Sequence, residues 1–333
     1  MSKKKANDFY SNTIKVSVVI LALIFVFSAG MYFLKQWESK NSNFSEISDE
    51  ESNILKYKGK EYTPKQNLDS FLVLGLDSFE ETDSLESYSN DKQADFLMLF
   101  VFDNDSKTCS AIQINRDTMA NVNALDIAGN PISTHKKQIA LAHTYGNGKE
   151  VSCRNTKDAV SDLLNDVKID HYISFTMNSI ATVNDFVGGV EVTVLDDFTG
   201  IDDSLVKGDK VTLFGEQAIR YVRTRYGLED STNNNRMKRQ QQYIAALYDK
   251  TISCIEADDS FLIKLVDKMD EHIVYDTTDS RLNEYMERFK DYTFTGIRNI
   301  DGETKLGEKY MEFYPDESSV MNVVIDCFYN ENK

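Results

Sequence analysis

Apolar and polar positions fall into three regimes along this 333-residue chain. The first is an uninterrupted apolar run, VSVVILALIFVFSAGMYFL over residues 16–34, with no charged side chain. At a rise of ~1.5 Å per residue, a helix of that length reaches ~28 Å, close to the ~30 Å hydrocarbon core of a bilayer. Lys3, Lys4, Lys5 and Lys15 precede it, whereas Lys35 and Lys40 behind it are diluted by acidic residues. That asymmetry predicts a cytoplasmic tail over 1–15, a transmembrane helix over 16–34 and an exported remainder. Ser28, Ala29 and Gly30 are small enough for a processing site, but the run exceeds a signal-peptide core and reads as a retained anchor. The second regime, residues 35–67, is polar and acidic and reads as an extracytoplasmic linker.

The third regime, residues 68–333, interleaves strand and helix patterns. FLVLGL (71–76), FLMLFVF (96–102) and CSAIQI (109–114) are continuous apolar runs of strand length, as expected of strands buried on both faces. NTKDAVSDLLND (155–166) carries helical spacing, with Asn155 or Thr156 as its expected N-cap. Strands are predicted at 170–175, 189–195 and 292–297, and helices at 179–187, 215–222, 259–270, 280–290 and 317–329. A long amphipathic helix is predicted over 234–255, with Met237, Ile244, Tyr248 and Ile255 on its apolar face. Gly188 and Gly189 mark a helix stop. The expected fold is α/β, a three-layer α/β/α domain around a mixed central sheet.

Composition narrows the function. The net charge of −17 argues against a nucleic-acid partner, whose phosphates demand a basic surface. Cys109, Cys153, Cys254 and Cys327 are far apart and show no metal-binding spacing. Disulfides and buried thiols are both open for them.

Two constellations carry chemistry. The turn DNDSKT (103–108) makes the second and third buried strands antiparallel. If the first lies beside them and parallel to the third, one sheet edge collects Asp77, Asp95, Arg116 and Asp117. Carboxylates at such a crevice suit a hard cation such as Mg²⁺, which takes one or two carboxylates plus phosphate oxygens. The second constellation is five of the chain's ten arginines within residues 220–239: Arg220, Arg223, Arg225, Arg236 and Arg239. Arg223 and Arg225 share a face if extended, and Arg236, Arg239 and Gln240 share a face of the long helix. Guanidinium forks bind phosphate oxygens bidentately, and a helix N-terminus disfavours cations unless an anion is present. Cation-holding aspartates with phosphate-holding arginines describe a phosphoryl-transfer site.

The motifs FLVLGLDS, QADFLMLFVF, INRDTM, LAHTYGNG, IDHYISFT, NDFVGGVEVTV, GEQAIRYVRTR and NNNRMKRQQQ, in this order, resemble the LytR-CpsA-Psr family of bacterial cell-envelope proteins. The resemblance runs from about Phe71 to the C-terminus, and the membrane topology matches as well. It implies a glycopolymer–peptidoglycan phosphotransferase of the Gram-positive cell membrane. Such an enzyme moves a glycopolymer from an undecaprenyl-pyrophosphate carrier to peptidoglycan and forms a phosphodiester bond, usually at the muramic acid 6-hydroxyl. By the same resemblance Asp77 and Asp95 would hold Mg²⁺. Arg116, Arg223, Arg225, Arg236 and Gln240 would bind the pyrophosphate, with Arg239 a further candidate and Arg116, Arg223 and Arg225 catalytic. The family encloses the prenyl chain between sheet and helices. Two positions depart from its pattern: Gln93 stands where an arginine is usual, and Asn115 where proline or a basic residue is usual.

Two other functions compete with this reading. A polyprenyl pyrophosphate phosphatase would employ the same site with water as acceptor. A non-catalytic envelope regulator or glycan-binding protein would need neither the arginines nor the metal.

Overall fold

The computed structural model describes residues 54–76, 92–224, 227–228, 233–258, 261–269, 272–278, 281, 284–285, 288–289 and 292–332. Strands β1 (Leu55–Tyr57), β2 (Lys60–Pro64) and β3 (Leu68–Leu76) come first. β4 (Ala94–Asp103), β5 (Thr108–Ile114) and the hairpin β6 (Met119–Leu125) with β7 (Pro131–Gln138) follow. A 3₁₀ segment, Ile139–Thr144, leads to α1 (Glu150–Leu163), β8 (His171–Thr176) and α2 (Met177–Phe186). β9 (Val190–Thr193) pairs with β10 (Lys210–Leu213) ahead of α3 (Gly215–Arg223) and the long α4 (Asn233–Ala257). The rest comprises α5 (Phe261–Met269), β11 (Ile273–Tyr275), β12 (Thr293–Asn299), the hairpin β13 (Gly302–Leu306) with β14 (Met311–Pro315), α6 (Glu317–Phe328) and β15 (Tyr329–Glu331).

The apolar runs become the centre of a six-stranded mixed sheet of order β11-β8-β3-β4-β5-β12. β4 lies antiparallel between β3 and β5, so those two run parallel to each other, as the tight turn requires. Alternate side chains divide the core. Leu72, Leu74, Leu97, Leu99, Ile112 and Ile114 pack with Cys153 and Val160 of α1 and with Val320 and Val324 of α6. Phe71, Val73, Met98, Phe100 and Phe102 fill the other face with Tyr285 and Phe289. Phe102 and Phe289 stack with ring centroids 3.9 Å apart. On this second side Gln241 of α4 donates to Gln113 of β5. Both faces are therefore covered, which explains why the inner strands lack polar alternation. A third cluster joins α2, α3, α4 and α5 to β9 and β10.

Several expectations change. The linker predicted over 35–67 is ordered from Leu55: β1 and β2 form a three-stranded sheet with β15. The backbone hydrogen bonds of this sheet hold polar residues that carry little hydrophobic pattern. α1 starts at Glu150, a turn and a half before its predicted cap. Asn155 and Thr156 are buried inside it: Asn155 donates to the Asn123 and Ala142 carbonyls, and Thr156 to the Ser152 carbonyl. The turn before the helix is held by Asn147, whose Oδ1 accepts from the Lys149 and Val151 amides. α4 buries Arg236, Arg239, Gln240, Tyr243, Leu247 and Thr251, while Met237 and Ile244 are only half-buried. The side chains of Tyr248 and Ile255 lie outside the described residues, as does most of the helix predicted over 280–290. Gly188 and Gly189 do stop α2, at φ +83° and +87°. All four cysteines are free thiols, and Cys109, Cys153 and Cys327 are buried. No described helix is long and apolar enough to cross a membrane, and segment 16–34 lies outside the described residues.

Candidate active site

The site grows from an irregularity in the sheet. Gly75 pairs with Phe96 but Leu76 pairs with Ala94, so Asp95 is the extra residue of a bulge between β3 and β4. A bulge re-aims side chains at a strand end. Gly75 permits it, because a Cβ there would come within 2.9 Å of the Phe96 Cβ. Asp95 is 6% exposed and points its carboxylate at two arginines. Arg116, just past the end of β5, donates from Nη1 to Asp95 Oδ1 and from Nη2 to Gln93 Oε1. Arg236, in the first turn of α4, donates from Nη1 to Asp95 Oδ2 at 3.1 Å and from Nε to Asn233 Oδ1 at 2.7 Å.

A second row of side chains fixes this group. Asn233 Nδ2 donates to Asn115 Oδ1 at 2.8 Å, tying the start of α4 to the end of β5. The same Asn115 oxygen accepts the Asp117 amide at 3.0 Å, and Thr118 Oγ1 returns to the Asn115 carbonyl at 2.6 Å. Buried Asp117 lies 3.5 Å from Arg116 Nε and accepts from Gln138 Nε2 at 3.1 Å. Gln138 also donates to the Met311 carbonyl at 2.7 Å, and Phe313 N to the Asp117 carbonyl at 2.8 Å. The β13–β14 hairpin thus buttresses the Arg116–Asp117 turn.

His143 secures the start of β4. Its Nδ1 donates to the Lys92 carbonyl at 3.0 Å, which leaves Nε2 as acceptor for the Cys153 thiol at 3.5 Å. Burial holds the imidazole down at about 4 and pushes the thiol up to about 12. Both groups are neutral, so this pair is structural and does not form a thiolate nucleophile.

The predicted residues do not all come together. Asp95, Arg116 and Arg236 converge. Half-buried Arg223 ends α3, and Gln240, 6% exposed, donates to the Val222 carbonyl beside it at 3.4 Å. Arg239, expected beside them as a phosphate ligand, is instead 1% exposed and committed to Asp196 and to the Tyr221 and Thr224 carbonyls. Burial lowers its guanidinium below the ordinary range, and Asp196 opposes that shift. Arg220 of the same sequence cluster makes a surface pair with Asp202 at 2.6 Å. Asp77 and Arg225 lie outside the described residues. Gln138 gave no sequence signal of its own, Asn233 only opens the NNNRMKRQQQ motif, and Gln93 was marked as standing where the family usually has an arginine.

The guanidiniums of Arg236 on α4 and Arg116 past β5 thus share the Asp95 carboxylate at the strand termini of an α/β domain, the end where ligands of such sheets gather. The chain matches the LytR_cpsA_psr family over residues 31–323 and belongs to it. It is 28% identical to a polyisoprenyl-teichoic acid–peptidoglycan teichoic acid transferase, TagU, of Bacillus licheniformis, over 99% of this chain and 98% of that protein. The corresponding transferase TagT of Bacillus subtilis is 28% identical over 64% of this chain and 62% of its own length. The solved structure of TagT bound to LI-WTA superposes with a TM-score of 0.57 at 19% identity, covering 79% of this chain and 90% of that one. That likeness establishes the shared fold.

Proposed function

We propose that this domain transfers a glycopolymer from an undecaprenyl-pyrophosphate carrier to peptidoglycan, outside a membrane to which residues 16–34 anchor it. The observation that carries this reading is Asp95 held between the guanidiniums of Arg116 and Arg236 at the sheet end. Arg116 and Arg236 converge on Asp95 with Asp117 beside Arg116 Nε, and charge-assisted donors gathered in this way suit a pyrophosphate. The names of the TagU and TagT relatives support teichoic acid–peptidoglycan transfer as the reaction class.

In the proposed step an acceptor hydroxyl attacks the phosphorus bonded to the glycopolymer. A P–O bond to the acceptor forms, the P–O–P bridge breaks, and undecaprenyl phosphate leaves with the bridging oxygen. The hydroxyl proton passes to solvent or to the departing phosphate. Arg116, Arg236 and Arg223, with Arg225, hold the pyrophosphate oxygens and balance the charge that builds on them. Gln93 and Asn233 keep two of these guanidiniums in place, and Asp95 is the residue that would hold a cation.

Among the described residues no three metal-ligating side chains cluster, so a cation beside Asp95 would draw its remaining ligands from substrate and from Asp77. That composition fits Mg²⁺ rather than a protein-caged metal. When bound, Mg²⁺ supplies charge neutralisation to the pyrophosphate. Half-buried Phe96 and Phe294 give this sheet face an apolar rim that suits the prenyl chain.

The test is incubation of the full chain with Mg²⁺, a polyprenyl-pyrophosphate-linked glycopolymer and peptidoglycan. Wild type should yield wall-linked polymer, and Arg223→Ala should lose about 100-fold of that rate. Free phosphate without conjugate would establish the phosphatase instead, and unchanged polymer with Arg223→Ala would establish a non-catalytic role.

A further inference from the structure

Arg239 stands one turn beyond Arg236 on α4, yet its guanidinium is spent on a different element. Nε donates to the Tyr221 carbonyl at 2.8 Å, Nη2 to the Thr224 carbonyl and Nη1 to the Asp196 carboxylate. Its guanidinium carbon lies 5.4 Å from the ring centroid of Phe198. At 1% exposure it offers no surface to a substrate.

Tyr221 and Thr224 are the last turn and the C-cap of α3. The final carbonyls of a helix lack intrahelical donors and form the negative end of its dipole. α3 leaves through Thr224 in an extended conformation, at φ −59° and ψ 133°, and no glycine stands at the stop. Arg239 supplies the cap from the neighbouring helix. Apolar packing would stabilise such a contact at least as well as a buried ion pair. What the planar fork adds is direction, because it fixes two carbonyls and a carboxylate at once. The element so fixed carries Arg223.

We propose that Arg239 is a positioning residue, which locks the C-terminal end of α3 against α4 and thereby sets where Arg223 meets the pyrophosphate. This rests on the transfer reading above.

The test is Arg239→Lys in the full chain, which keeps the charge for Asp196 but loses the planar fork. Binding of inorganic pyrophosphate with Mg²⁺ should weaken about tenfold in the wild-type background and less than twofold in an Arg223→Ala background. Amide exchange at Val222, Arg223 and Thr224 should accelerate about tenfold, while Tyr243 to Leu247 keep their protection. An equal loss in both backgrounds would show Arg239 acting independently of Arg223 and would overturn the proposal, as would unchanged exchange at the α3 end. A wild-type chain that binds no pyrophosphate would remove the transfer reading, and the exchange measurement would still decide the brace. Should Arg239→Lys not fold, Asp196→Asn, which frees the fork from one side, is expected to show the same non-additivity with Arg223→Ala, and additivity there would overturn the proposal equally.

Discussion

Asp95→Asn offers the sharpest test of the charge arrangement. The carboxylate pairs with both Arg116 and Arg236, whose side chains are 11% and 3% exposed. Breaking a buried ion pair by removing one partner costs ~3–5 kcal/mol when the remaining charge is left uncompensated; here that holds for Arg236, whereas Asp117 stays beside Arg116 Nε. The substituted amide would keep one acceptor oxygen, and Gln93 and Asn233 would still hold one nitrogen of each arginine. The lower end, ~3 kcal/mol, is therefore expected, or ~6–9 °C in Tm for a domain this large. The assay is thermal unfolding in Mg²⁺-free buffer with chelator, with and without inorganic pyrophosphate. Without anion the variant should melt below wild type. Pyrophosphate should then raise the variant's Tm more than the wild type's, since the anion supplies the negative charge that the substitution removed. Added Mg²⁺ should reverse that ranking, because the proposed cation needs the carboxylate. A variant as stable as wild type in the first condition, or one less responsive to pyrophosphate there, would refute the reasoning.

His143 is neutral and buried, its imidazole held down at about 4 from an ordinary 6.5. Between those values the unfolded chain binds a proton that the folded chain refuses, so stability falls as pH drops from 6.5 and has lost ~3 kcal/mol below 4. His143→Asn, which keeps a donor for the Lys92 carbonyl, should flatten that part of a urea-denaturation pH series, and an identical slope would remove His143 as its source. Gln93→Ala leaves Arg116 Nη2 without its acceptor and should lower the transfer rate about fivefold, equivalent to ~1 kcal/mol; an unchanged rate would mean that Gln93 does not orient Arg116. Of the free thiols only Cys254 is not buried. Ellman's reagent at pH 8 should therefore label one thiol natively and four after denaturation, and rapid native labelling of Cys153 would contradict its burial.

Much of the architecture was legible because its causes are local. Continuous apolar runs at 71–76, 96–102 and 109–114 follow from strands covered on both faces, and the turn at 103–108 dictates their directions. The elements that escaped prediction have long-range causes. β2 is held by backbone pairing with β15, more than 260 residues further on, which no local pattern encodes, and β1 joins it through a local hairpin turned at Lys58 and Gly59. The buried stripe of α4 is displaced from its apolar residues because two arginines and a glutamine occupy it, so hydrophobic periodicity points to the wrong face.

The same limit divides the site. Arg236 and Arg239 are three residues apart on one helix, and spacing alone treats them as equivalent. The structure separates them by what each meets. Arg236 meets the bulged carboxylate of Asp95, a partner that the proposed pyrophosphate and cation would exchange for others. Arg239 meets Asp196 and two helix-end carbonyls inside the protein, partners that no substrate reaches. An arginine cluster in a sequence thus marks a proposed phosphate site and its scaffold together. What distinguishes the two is whether the counter-charge lies at a crevice or within the core. Gln93 and Asn115, the two departures from the family pattern, fall on the same dividing line. Each is an uncharged acceptor beside an arginine or its helix, and each holds the cluster in place without adding to its charge.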